Sequence, residues 1–130
     1  KWQKILLDVP CSSTGTIRKN PDILYSKNEK SVSNLVNLQT RLLEKSWSLL
    51  GKNGHLIYCN CSLEIEEGEM QIINFLKHHE DCQIDKISSN LIEDIQDSVT
   101  REGWLRILPN GKKGVKNRDG FFIARLKKIS

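Results

Sequence analysis

The chain has 130 residues, a 38% apolar fraction and a formal net charge of +4. That length suits one domain with a real core, spanning residues 1–130, and is short for a complete α/β enzyme. No apolar run approaches the roughly 18 residues of a membrane span. The opening Lys1-Trp2-Gln3-Lys4 brings charge before any apolar stretch, which is not the pattern of a secretory signal. A cytoplasmic protein with no membrane partner is expected.

The missing initiator Met and the almost immediate strand-like run suggest a piece cut from a longer chain. Charge is uneven. Glu64 to Asp97 is acidic, whereas Arg106 to Lys128 is basic and holds only Asp119 as a counter-charge. A basic segment fits a polyanion such as nucleic acid, but charge alone favours an ordinary solvated lysine surface.

Lys4 to Val9 reads as a short, nearly continuous apolar strand of the buried parallel kind. Pro10 ends it, and Cys11 to Thr16 with Gly15 forms a loop that continues through Asn20-Pro21-Asp22, because the residue before proline avoids helix. Ser31 to Leu50 is the clearest helix, with Val32, Leu35, Val36, Leu42, Leu43, Trp47 and Leu50 along one stripe. Gly51 and Asn53-Gly54 are read as its stop.

His55 to Cys59 is a second short strand that runs into Asn60-Cys61-Ser62. A second helix is expected from about Glu64 to His79, its acids early and its Lys77, His78 and His79 late, in the order that complements the helix dipole. Gln83 to Ile87 is a candidate third strand, Ser88 to Arg101 is ambiguous, and Phe121 to Leu126 closes the chain after a turn at Arg118-Asp119-Gly120. Such alternation implies an α/β fold with a mostly parallel sheet. Ligands of these sheets bind outside the carboxyl ends of the strands. Asp8-Val9-Pro10-Cys11 and Asn60-Cys61-Ser62 both fall there, so their cysteines can face one pocket.

The four cysteines are Cys11, Cys59, Cys61 and Cys82. With nothing pointing to secretion, reduced thiols are expected rather than two disulfides. A zinc site using Cys59, Cys61 and His55, His78 or His79 is the sharper rival. The Cys-x-Cys spacing has no second close pair, so no metal site is assigned.

Three segments carry chemistry together. Asp8-Val9-Pro10-Cys11-Ser12-Ser13-Thr14-Gly15, with Ile17-Arg18-Lys19-Asn20-Pro21-Asp22 after it, resembles the Asp-x-Pro-Cys-Ser motif of the RNA cytosine-5 methyltransferases. It is most similar to the bacterial 16S ribosomal RNA branch, the Sun or Fmu proteins, whose eukaryotic relatives are the Nop2/Sun proteins. Tyr58-Cys59-Asn60-Cys61-Ser62 resembles the second cysteine motif, usually Tyr-x-Thr-Cys-Ser, and Glu66-Glu67-Gly68-Glu69 follows it as an acidic segment. Arg106-Ile107-Leu108-Pro109 and Asp119-Gly120-Phe121-Phe122-Ile123-Ala124 resemble the closing motifs.

The resemblance implies the C-terminal half of a class I, Rossmann-like, S-adenosylmethionine-dependent fold, with helices on the faces of the sheet and a terminal antiparallel strand. It implies methyl transfer to C5 of cytidine in RNA, 16S ribosomal RNA being the expected partner. C5 of cytosine is a poor nucleophile until a thiolate adds at C6, and cysteine suits that covalent role. Nearby positive charge or a hydrogen-bond donor would favour the thiolate.

By resemblance Cys61 is the nucleophile and Cys11 the cysteine associated with release of the adduct, while Cys59 and Cys82 are core residues. Asp8 matches an aspartate beside the cytosine edge and the cofactor, although an Asp before Pro10 is also a common turn former. Arg18 and Lys19 are candidate RNA-phosphate contacts, or a solvated loop pair. The target base must be flipped or unpaired to reach Cys61.

Asn60 departs from the usual Thr, and Asn117-Arg118 stands where Gly-Thr is common. No glycine-rich loop after a strand and no matching acidic residue are seen for the cofactor. The resemblance places both upstream, in a half needed for a complete S-adenosylmethionine site. The strand at Lys4 to Val9 would then expose an edge. The rival function is a non-catalytic RNA- or partner-binding fragment.

Overall fold

The first apolar run forms β1, Trp2–Asp8, and pairs in parallel with β2, Leu50–Asn60. The computed structural model describes residues 1–91, 93–109 and 118–130, so most of the lysine-rich stretch after Pro109 lies outside the described residues. β5, Phe121–Lys128, runs antiparallel to β2 on one side. On its other side lie two short strands, β3 (Cys82–Ile84) and β4 (Leu105–Ile107), both antiparallel to β5. Strands β1 to β4 therefore share one direction and β5 alone opposes them. This is the expected terminal antiparallel strand, inserted between β2 and β3, and it leaves β1–β2 as the parallel pairing among the described residues. The strand β4 had no clear signal in the sequence.

Helix α1, Ile23–Ser26, is one turn; α2 spans Glu29–Leu49 and α3 spans Glu69–His78. Asn28 starts α2 two residues before the expected point: its side chain accepts from Ser31 N at 2.9 Å while Asn28 N donates to Ser31 Oγ at 2.9 Å. That reciprocal pair satisfies two donors at the helix start. Gly51 to Gly54 does not end α2, because the helix passes straight into β2 at Leu50. Those residues form an irregularity inside β2 instead, where the register jumps from Trp2↔Leu50 to Lys4↔His55 and Asn53 turns to φ 62°. Asn tolerates this left-handed conformation better than most residues.

The expected start of the second helix also shifts. Glu64 to Gly68 turns back on itself before α3 begins, so Glu69 alone remains an acid of the first helical turn, with Lys77 and His78 in the last. Leu56 and Tyr58 of β2, with Phe122, Ala124 and Leu126 of β5, meet Leu43 and Trp47 of α2 and Ile72 and Phe75 of α3 in one core. Full burial of each such aliphatic side chain contributes about 1.5–3 kcal/mol. Packing on the sheet, rather than helix propensity, thus holds α2 and α3.

Edge strand β1 differs from the buried strand its composition implies: Leu6 is 70% exposed and Trp2 67%. Among the described residues its outer edge has no partner strand. Also among these residues, no helix is long and apolar enough to cross a membrane.

Candidate active site

β1 and β2 are neighbours with Asp8 opposite Cys59, so the loops leaving both strands emerge side by side. Val9 N continues the pairing to Cys59 O at 3.1 Å. This register brings Cys11 and Cys61 together, with their sulfurs 3.5 Å apart, both only partly buried. Two residues fifty positions apart thus form one site, as their placement at neighbouring strand ends predicts. Burial pushes the Cys11 thiol up to about 11, with the adjacent Cys61 adding to the effect. At neutral pH Cys11 is therefore protonated.

Glu67 holds the two loops in this relation. It is fully buried and accepts from Ser12 N at 2.8 Å, Ser12 Oγ at 2.5 Å, Gln39 Nε2 at 3.1 Å and Ser62 Oγ. Each cysteine is followed by a serine, and both serines end on this one carboxyl group. The Glu67 carbonyl accepts in turn from Tyr58 OH at 2.7 Å and Asn60 Nδ2 at 2.8 Å. Asn60 Oδ1 also receives Ser62 N at 3.0 Å. The departure at Asn60 is thereby accounted for: its amide supplies one donor and one acceptor to a buried network, away from the thiols.

The Asp-Gly-Phe-Phe segment enters through a backbone crossing. Gly15 N donates to Cys61 O at 2.8 Å, and Gly120 N donates to Gly15 O at 2.7 Å. A Cβ on Gly15 would lie 2.5 Å from Gly120 O and 2.6 Å from Cys61 O. Arg106 clamps the far side, with Nη1 on Ser62 O at 2.5 Å, Nε on Glu69 Oε1 at 2.8 Å and its guanidinium over the Phe122 ring at 4.9 Å. All three motif segments therefore converge on the Cys61 loop.

The other sequence candidates are placed as follows. Asp8 is exposed at the end of β1, where its Oδ1 accepts from the Cys59 thiol at 3.8 Å. Arg18 and Lys19 are exposed and both reach Asp119, at 3.4 Å and 2.7 Å. Lys19 chiefly, then Arg18, hold the Asp119 carboxyl below its ordinary range. Cys59 and Cys82 are buried, Cys82 within the core, and burial pushes them up to about 11 and about 12. Among the described residues, no three His, Cys, Asp or Glu side chains are grouped as metal ligands. His55 and His79 instead pair with Asp85 and Glu44.

Sequence reasoning gave no role to Ser12, Ser13, Ser62 and Glu67, although all four stand in the motif segments, and it missed Gln39. Gln39 carried a usable signal, since it is the polar member of the helical line Leu35, Gln39, Leu43, Trp47 on the buried face of α2. Glu67 lay inside the acidic segment that follows the second cysteine motif, but nothing set it apart from Glu64, Glu66 and Glu69.

Residues 1–127 match the family described as 16S rRNA methyltransferase RsmB/F. The chain belongs to that family. It is 38% identical over 128 residues to the ribosomal RNA small subunit methyltransferase B of Photorhabdus laumondii, covering 98% of this chain and 27% of that protein. To the protein of the same name from Pasteurella multocida it is 37% identical over 129 residues, covering 99% of this chain and 26% of that protein. Among solved structures it resembles a methyltransferase homologue from Pyrococcus horikoshii, with a TM-score of 0.71 at 29% identity, covering 99% of this chain and 40% of that one. The resemblance drawn from the cysteine motifs is borne out, and with it the Rossmann-like methyltransferase fold class. The chain spans about a quarter of the length of the curated relatives it matches.

Proposed function

We propose that this chain carries the reacting thiols of an S-adenosylmethionine-dependent RNA cytosine-5 methyltransferase acting on 16S ribosomal RNA. The observation that carries this reading is the meeting of Cys11 and Cys61, sulfurs 3.5 Å apart, at the carboxyl ends of adjacent strands. A structural thiol pair would be expected inside the core, whereas this one is partly open.

In the proposed reaction the Cys61 thiolate adds to C6 of a flipped cytosine. As the C6–S bond forms, the C5–C6 π pair moves onto C5 and the conjugated C4–N3 system, so that C5 becomes the nucleophilic carbon. S-adenosylmethionine, when bound, supplies an electrophilic methyl group. Once C5 carries its methyl, the C5 proton leaves to solvent, the C5–H pair becomes the C5–C6 π bond, and the C6–S pair departs on the Cys61 sulfur as thiolate. Cys11, protonated because of its burial, is placed to give a hydrogen bond to the departing Cys61 sulfur.

Asp8, open at the end of β1, is the residue of this chain suited to the cytosine N3/N4 edge and the neighbouring cofactor. One exposed carboxyl fits that group without completing its site. The free edge of β1 suits a strand of the upstream segment expected to hold the glycine-rich loop. Arg18 and Lys19 are read as phosphate contacts. Their exposed pairs with Asp119 are weak enough for an RNA phosphate to exchange with them.

The test is tritium transfer from methyl-labelled S-adenosylmethionine to 16S ribosomal RNA, using the complete enzyme that contains this segment. Cys61→Ala is expected to remove transfer. Cys11→Ala is expected to accumulate a protein–RNA adduct that survives denaturing electrophoresis. Wild-type transfer by Cys61→Ala would overturn the assignment. RNA binding with no transfer by the unaltered enzyme would favour a non-catalytic binding role.

A further inference from the structure

Ser13 adopts φ 59° and ψ 23°, a left-handed conformation that strains an L side chain and that glycine would occupy freely. Thr16 pins the turn, donating to the Ser13 carbonyl from its N at 2.9 Å and its Oγ1 at 2.8 Å. In that geometry the Ser13 hydroxyl is not directed to solvent alone. Its Oγ lies 3.5 Å from the Cys61 sulfur and 3.9 Å from the Cys11 sulfur, closing a triangle whose third side is the 3.5 Å contact between the thiols. A strained residue that keeps a functional group against reacting atoms points to a role for that group.

The charges nearby are otherwise engaged. Arg106, which clamps the Cys61 loop, spends its guanidinium on the Ser62 carbonyl and Glu69. Among the described residues, the hydrogen-bond partners of the Cys61 sulfur are Cys11, which can give or take the hydrogen, and Ser13, whose Oγ accepts from the Cys61 S–H. A hydroxyl hydrogen rotates to suit its partner. The Cys61 S–H can therefore donate to Ser13 Oγ in the resting thiol, and the same hydroxyl can turn to donate once that proton has left for solvent.

We propose that Ser13 is a positioning residue for the nucleophile, its hydroxyl orienting the Cys61 sulfur and stabilising it as a thiolate. The inference rests on the reading of Cys61 as the nucleophile. The hydroxyl keeps its own proton throughout, so the role is hydrogen bonding and not proton transfer.

The test is the pH dependence of iodoacetamide alkylation of Cys61 in this chain, resolved from Cys59 by tandem mass spectrometry, in wild type, Ser13→Ala and Ser13→Gly. Glycine removes the hydroxyl while relieving the backbone, so it separates the two contributions. Both variants are expected to move the pH of half-maximal alkylation up by about 0.5–1 unit, and to lower the rate at pH 7 about 3- to 10-fold. The plateau rate at high pH should stay unchanged, since a merely structural effect on access would move the plateau instead. An unshifted profile in Ser13→Gly would overturn the proposal, as would a shift seen in Ser13→Ala alone. Neither outcome depends on methyl transfer, so the assignment of Cys61 stands or falls separately on the Cys61→Ala assay.

Discussion

Glu66 is exposed and Glu67 is fully buried, although they are adjacent and chemically identical. The difference is the set of donors waiting for the second: Ser12 and Ser62, one from each cysteine loop, and Gln39 all end on its carboxyl group. Removing the carboxyl takes the partner from Ser12 N and leaves the Ser12 and Ser62 hydroxyls only each other and Thr14 to donate to, with Gln39 Nε2 held by the Pro10 carbonyl alone. Glu67→Ala is therefore expected to cost about 3 kcal/mol in urea unfolding. Glu67→Gln keeps the volume but turns an amide NH₂ toward hydroxyl and amide donors, so it should cost less than the alanine change and more than nothing. Equal stability of Glu67→Ala and wild type would show that the network does not hold the loops. The residue scale also explains Asn60, whose amide both donates and accepts, where a threonine hydroxyl would bridge a shorter gap.

At the scale of elements, the site is a crossing of three chain segments rather than a pocket within one. Gly15 joins the Cys61 loop on one side and Gly120 on the other through backbone hydrogen bonds alone. A methyl group at Gly15 would have to push apart two carbonyls at 2.5 and 2.6 Å. Gly15→Ala is expected to destabilise by about 2 kcal/mol or more, measured by thermal or urea unfolding, and to slow Cys61 alkylation as the loops separate. Unchanged stability would mean that the crossing opens at no cost. The phenylalanines behind Gly120 serve a different purpose. Phe122 is buried against Trp104 and lies under the Arg106 guanidinium, which in turn fixes the carbonyl after Cys61.

Across the whole molecule, burial raises thiols from an ordinary value of 9.0: Cys11 and Cys59 to about 11, Cys82 to about 12. The folded chain keeps these protons where the unfolded chain releases them. Between pH 9 and about 11 to 12 the unfolded state therefore binds fewer protons, and stability falls as pH rises. Below pH 9 this contribution is fully present. Urea midpoints are expected to drop from pH 8 to pH 10.5, and to drop less in Cys82→Ala, whose core position lies outside the site. A midpoint flat across that range would contradict the burial of these thiols. The exposed outer edge of β1 adds a second property at this scale, since an unpaired strand with Leu6 and Trp2 exposed is open to pairing with another strand.

By itself the sequence determined the long strands β1, β2 and β5 with helices α2 and α3, the family, and the pair of cysteines, because hydrophobic period and short motifs are local and survive without a structure. It also placed Cys11 and Cys61 at strand ends, which parallel-sheet logic turns into proximity. Tertiary structure alone decided which acid of Glu64 to Glu69 is buried, that Gly51 to Gly54 interrupts a strand instead of ending a helix, and that Ser13 faces both sulfurs. Each of these depends on partners distant in the chain. A carboxyl group is a surface charge or a structural hub according to the donors that folding brings around it, and no local pattern encodes that meeting.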